Sequence, residues 1–328
     1  MIWTRRNILV GMAVASAASM FSNWGAFSQT DYPGRPVRVV VPYAAGGGTD
    51  FFARLVFAEI GKQLGQQFVI ENKAGAGTNL GAEAVAKAEP DGYTLLLGDT
   101  ATYATNRTLY SKLAFDPYKD FSPISLSGRF ALVLLVNTNK LNVKSVQELV
   151  AVAKQNPGGI TYGTPGLGSP FHLATELLAQ GAGIKLTHVP YRGAAPAVQD
   201  LVAGNIGMMF IDFATARSQL SGPIKAIAVA SPDPFAGLPG VPPVAADFPG
   251  FEAWAWQGIV APAGTPPEIV AKLNEAYRRA VSQPEIRDKL MGAGIEVLQS
   301  TPEEMSAYMR AEGEKWEKVI KTANIKLE

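Results

Sequence analysis

Residues 37–55 read VRVVVPYAAGGGTDFFARL. Val37 to Val41 form a β-favouring run closed by Pro42, three glycines follow at Gly46, Gly47 and Gly48, and Thr49-Asp50 opens a helical pattern. A continuous apolar run bounded by turn residues predicts a strand buried on both faces, and the helix after it makes a βα unit. Three glycines let something approach the backbone closely. Backbone N–H groups at such a turn, with the positive end of a helix dipole behind them, make an anion site. Thr49 or Asp50 is the natural N-cap of the helix, and Asp50 serves equally as a pocket residue.

The same unit recurs along the chain. QFVIENK is followed by TNLGAEAVAKA, and YTLLLGD by YATNRTLYSKL. After DFSPISLSGRF, which has no helical period, the pattern restarts with ALVLLVN, SVQELVAVAKQ, GITYGTP, PFHLATELLAQGA, LTHVPY, AAPAVQDLVAG, IGMMFID and IKAIAVAS. Alternating strands and helices predict an α/β protein with two largely parallel sheets. SPDPFAGLPGVPPVAADFPG is too rich in proline and glycine for helix or central strand and predicts a long surface connection. AWQGIVAP is strand-like, and two amphipathic helices follow; Ile269, Leu273, Tyr277 and Val281 mark the first, Met305, Tyr308, Met309, Trp316 and Ile320 the second. Neither stands alone, so both return to the first sheet. The chain then has two lobes: residues 29–127 plus 255–328, and residues 128–254, with crossings near Leu126 to Arg129 and Glu252 to Trp256. In such a fold the crevice lies beyond the carboxyl ends of the strands.

At the amino end, Arg5 and Arg6 precede an apolar run from Ile8 to Ala18 and a small-x-small signal, Ala26-Phe27-Ser28. This predicts a signal peptide over residues 1–28, too short and too small in its side chains to span a bilayer. TRRNIL fits both a twin-arginine and a general secretory route. Removing the peptide takes the formal charge from +1 to −1, which argues against a nucleic-acid partner. The chain contains no cysteine, so it has no disulfide, thiolate nucleophile or lipid-anchoring Cys.

Other motifs narrow the chemistry. Gly75, Gly77 and Gly81 have GxGxxxG spacing, with Asp99 closing the next strand, a dinucleotide-binding pattern in outline. Lys73 and Ala74 separate strand from glycines, however, and an exported protein meets no maintained nicotinamide pool, so the stretch is read as a second backbone-lined loop. No GxxxxGK[ST] phosphate loop occurs. Thr164 and Ser169 follow a strand, with Ser169 as N-cap and Pro170 at the first helical position. His172 lies one turn on. A Ser-His hydrolytic pair lacks a GxSxG elbow and a base-orienting acid, and two histidines, His172 and His188, do not make a metal site. Tyr191, Arg192 and Asp212 also stand at strand ends.

PYAAGGGTD, ENKAGAGTNLGAEAVAKAEPDGYTLLLG, GTPGLGSPFHLATELL and VPYRGAAPAVQDLVAGNI together resemble the extracytoplasmic solute receptors of tripartite tricarboxylate transporters, the Bug proteins of Bordetella-like bacteria. The likeness covers the mature chain in order. It implies the type II periplasmic-binding-protein (Venus flytrap) fold, no catalysis, no metal, no cofactor, a monomer in the periplasm, and a small organic acid as ligand: a di- or tricarboxylate, an acidic amino acid or an aromatic acid. By the same resemblance the ligand is held by Tyr43, Ala44, Gly46, Gly47, Thr49 and Asp50, by Gly77, Thr78 and Asn79, and by Thr100, Ser169, His172 and Asp212, and it passes to membrane permease subunits. Arg192 stands where the family pattern has lysine. A sensor signalling to a membrane kinase would share these features.

Overall fold

The computed structural model describes residues 32–327, so the expected signal peptide lies outside the described residues. Strand β1 (Val37–Val41) leads through the triple glycine into helix α1 (Gly48–Leu64), which ends on Gly65 at φ +69°. Next come β2 (Phe68–Asn72), α2 (Asn79–Ala86), β3 (Thr94–Asp99), a π-helical turn at Ala101–Thr105 and a single turn, α3 (Asn106–Leu109). The long strand β4 (Phe121–Asn137) opens the second half. It precedes α4 (Val146–Gln155), β5 (Thr161–Thr164), α5 (Pro170–Ala182), β6 (Thr187–Pro190), α6 (Ala194–Ala203), β7 (Met208–Asp212), α7 (Phe213–Gln219) and β8 (Ile224–Val229). The chain closes with β9 (Trp254–Pro262), α8 (Pro267–Ser282), α9 (Pro284–Gly292), β10 (Ile295–Val297) and α10 (Pro302–Thr322).

Strand order is β2-β1-β3-β9-β4-β7-β5-β6, with β8 and β10 also on β4. β1 pairs in parallel with β2 and β3, and β5 with β6 and β7, whereas β9 runs antiparallel to β3 and β4. Along β1 and β3 alternate side chains serve opposite faces. Val39, Val41, Leu95 and Leu97 pack with α1 and α8, while Val40 and Leu96 pack with α2 and α10. That is why the run reads as continuously apolar.

Two sheets linked by crossover strands were expected, and the link is such that hydrogen bonding runs continuously through β4. Its first part pairs with β9 and β10, and from Leu132 it pairs with β7 and β8. The partner change comes at Ala131/Leu132. The register of β4 on β9 shifts twice, between Pro123 and Ser125 and between Leu126 and Gly128. Such bulges break the two-residue alternation that a strand normally shows. On the return path Ala253 donates to the carbonyl of Ala230, and Trp254 pairs with Ala131. Among the described residues no helix is long and apolar enough to cross a membrane.

Candidate functional site

The three glycines have three different reasons. Gly46 lies at φ +91°, a conformation that disfavours any other residue. A Cβ on Gly48 would stand 2.9 Å from the Phe130 ring on β4. Gly47 is the N-cap of α1, with ordinary angles (φ −81°, ψ 172°), and a Cβ there would meet nothing nearer than the Ala44 carbonyl at 4.0 Å. The expected N-cap at Thr49 or Asp50 is therefore displaced to Gly47. Open space lies over Gly47, and the first N–H groups of α1 lack intrahelical acceptors.

Asp50 points inward and is 3% exposed. Its carboxylate accepts from Gly46 N (2.9 Å), Arg54 Nε (3.0 Å) and Asn72 Nδ2 (2.9 Å). The Arg54 hydrogen bond, with those of Gly46 and Asn72, holds it down to about 2 despite burial. Asp50 thus builds the loop, and the Gly46 N–H is already spoken for. Asn72 also donates to the Tyr43 carbonyl at 3.1 Å, tying the loop to the end of β2.

Tyr43 donates a short hydrogen bond to Asp99 at the end of β3. Asp99 also accepts from Thr102 N and Oγ1, both at 3.1 Å. Burial pushes its carboxyl upward, against the hydrogen bonds from Tyr43, Thr102 and Ala101. The second glycine loop hangs on the same network. With the Thr102 hydroxyl proton given to Asp99, the Thr78 hydroxyl donates to Thr102 Oγ1 at 2.9 Å, and Asn106 donates to the Gly77 carbonyl at 2.6 Å and to Asn79 at 2.7 Å. Ala76, Gly77 and Thr78 have φ of +48°, +59° and +83°, three successive left-handed residues. Backbone conformations this sparse persist only where surrounding contacts fix them. Thr100 is 1% exposed, and its hydroxyl brackets the backbone of Trp256, so it anchors the lobe to the crossing strand β9.

In the second lobe Ser169 Oγ accepts from His172 N at 3.3 Å as N-cap of α5, which leaves its proton free to donate. His172 is 3% exposed; its Nδ1 accepts from Gly168 N at 3.0 Å, and its ring stacks on His188 at 4.0 Å. It supports the loop from beneath. Glu176 does lie near, 3.9 Å from His172 Nε2, contrary to the expectation that no acid would. Neither ring nitrogen, however, bonds Ser169 Oγ among the described contacts, so the hydrolytic arrangement is not assembled. Asp212 caps the short helix α7 through Thr215 N (2.9 Å) and Oγ1 (2.8 Å). A Cβ on Gly168 would touch Leu109 at 2.8 Å, so the start of α5 abuts the turn that carries Asn106.

A model of the tripartite tricarboxylate transporter family receptor matches residues 52–325. The chain belongs to that family. It is 37% identical to a protein from the tcbD-tcbE intergenic region of Pseudomonas sp., over 96% of this chain and 94% of that one. To BugT of Bordetella pertussis it is 32% identical, over 99% of each. Among solved structures, an R. palustris protein with adipate shares 38% identity at TM-score 0.78, covering 90% of this chain and 99% of that one. MatC of Rhodopseudomonas palustris, solved with malate, shares 36% at TM-score 0.74, covering 88% and 100%. The fold is that of a periplasmic binding protein, as in BugD, 34% identical at TM-score 0.74 over 90% of this chain and 99% of that one.

The receptor's loops are thus stiffened by Asn72, Thr102 and Asn106, which pattern reading had passed over, and by Asp99. Asp99 was visible as the acid closing β3 but suited a dinucleotide better than a tyrosine. The stacked histidines carry a pH consequence. Burial pushes His172 down to about 3, helped by His188, and burial alone pushes His188 down to about 4. Both are neutral bases in the folded state, so between about 6.5 and these values the unfolded chain binds more protons. Stability is therefore complete above about pH 6.5 and declines as pH falls below it. Denaturant titrations from pH 7.5 to 4.5 will show that slope, and His188→Gln will flatten it.

Proposed function

We propose that this receptor captures a small organic acid between residues 29–127 plus 255–328 and residues 128–254, in the periplasm and as a monomer, and delivers it to the membrane subunits of a tripartite permease. The observation that carries this reading is the placement of uncommitted donors at helix starts of both lobes. Gly47 and Thr49 stand at the start of α1, Ser169 stands at the start of α5, and the Gly77–Asn79 loop is held by Asn106 on the turn that Gly168 abuts. Each start brings backbone N–H groups and the positive end of a helix dipole to a carboxylate. Closure brings both sets to one anion, so the ligand favours the closed state by differential contact.

In this assignment Tyr43, Ala44, Gly47, Thr49, Gly77, Thr78, Asn79 and Ser169 face the ligand. Gly46, Asp50, Thr100, His172 and Asp212 hold those groups in place. The adipate and malate of the solved relatives support short dicarboxylates as the first class to try.

Thermal unfolding against adipate, malate, citrate, glutamate, benzoate and glucose tests the reading. A cognate acid at 100-fold its dissociation constant adds about 2.7 kcal/mol to stability. Silence from every acid with a response to glucose would overturn it.

A further inference from the structure

A cavity of about 440 Å³ lies not at the glycine loops but at the edge of the crossing strands. One wall is Ser231 to Ala236, after β8; the other is Arg287, Met291 and Gly294 to Val297, from α9 and β10. Arg129 and Trp254, on β4 and β9, complete it. Parts of both lobes therefore line it.

Its surface is apolar and aromatic at the centre. Phe235 packs edge-on to Phe213 at 5.0 Å, and Met291 is 64% exposed. The Arg129 guanidinium lies 3.8 Å over the Trp254 ring and is consumed by Glu296 at 2.8 and 3.0 Å, with Glu252 at 3.8 Å. Two charges at this cavity remain: among the described residues the Arg287 guanidinium and the Asp233 carboxylate have no side-chain partner. A ligand filling the cavity meets one free cation, one free anion and an apolar interior.

We propose that this hinge cavity binds a small zwitterion with an apolar side chain, an aromatic or long aliphatic amino acid. Its carboxylate pairs with Arg287, its ammonium with Asp233, and its side chain lies among Phe235, Met291 and Trp254. The volume falls within the range of small-molecule sites. Arg287 and Asp233 both reach the surface, so charge pairing at both ends selects against compounds carrying only one charge because these gain only one of the two pairings. The inference stands on these residues alone and does not depend on carboxylate capture at the glycine loops.

Calorimetric titration of the mature chain with L-phenylalanine tests it, with phenylacetate and phenethylamine as single-charge controls. Expected is saturable 1:1 binding that the cleft variant Gly47→Phe retains and that, in this cleft-blocked background, both controls lack and Arg287→Gln and Asp233→Asn each weaken by about tenfold. Melting curves establish that each variant is folded. No binding up to about 10 mM, equal binding by either control, indifference to both charge variants, or loss in Gly47→Phe would each overturn the proposal.

Discussion

Replacing Gly47 by Phe lowers the affinity for the cognate acid by about 100-fold or more while the melting temperature stays that of the wild type. Gly47 has backbone angles any residue adopts, and space surrounds the site of its missing Cβ. The free protein therefore accepts the ring without strain. The bound state does not, because the ring occupies the approach to the amides at the start of α1. Two charge-assisted hydrogen bonds lost at about 1.5 kcal/mol each account for that factor. The neighbouring glycines give the opposite signature. Gly46→Ala must adopt φ +91°, and Gly48→Ala must displace the Phe130 ring, so each costs about 1 kcal/mol of stability. Calorimetry and melting on the three variants separate the roles, and unchanged affinity in Gly47→Phe would make all three glycines structural.

Trp256→Ala destabilises the protein by about 3–5 kcal/mol in denaturant titration. Trp256 is fully buried on β9, stacked on Tyr103 at 5.8 Å and edge-on to Tyr308 at 5.0 Å. Its indole N–H donates to Glu312 at 3.0 Å, and Glu312 also accepts from Trp316 and pairs with Lys315. Removing the ring leaves a cavity and deprives a buried carboxylate of one donor. It also loosens the strand that Thr100 brackets, where one lobe is fixed to its crossing. Trp256→Phe keeps one stacking ring but loses the hydrogen bond and part of the buried surface, about 2–3 kcal/mol, less than the Ala variant. Equal losses in the two variants would place the stabilisation in the Glu312 contact rather than in the packing.

The βα units were legible because β1 and β3 are buried on both faces, so VRVVV and TLLLG announce themselves without knowledge of their neighbours. The second part of β4 was legible as ALVLLVN, but its first part was not, since Pro123, Ser125 and Gly128 sit in a segment whose two register shifts erase alternation, and its identity comes from strands on either side of it. β10, three residues long, borrows its structure wholly from β4. At the site, the glycine loops and the Ser169 cap follow from local rules. The roles of Asp50 and His172 do not. An acid in a first helical turn can face solvent or the loop beneath it, and the deciding partners Arg54 and Asn72 are four and 22 residues away. His172 was placed beside Ser169 by helical spacing, but the stacking of His188 from β6 turns its ring inward.

Small-angle X-ray scattering, with and without the acid that gives the largest thermal shift, tests most directly the claim that the two lobes close around a carboxylate. The account predicts a smaller radius of gyration at saturating acid in the wild type and no change in Gly47→Phe at the same concentration. A radius unchanged by an acid that calorimetry shows to be fully bound would contradict it.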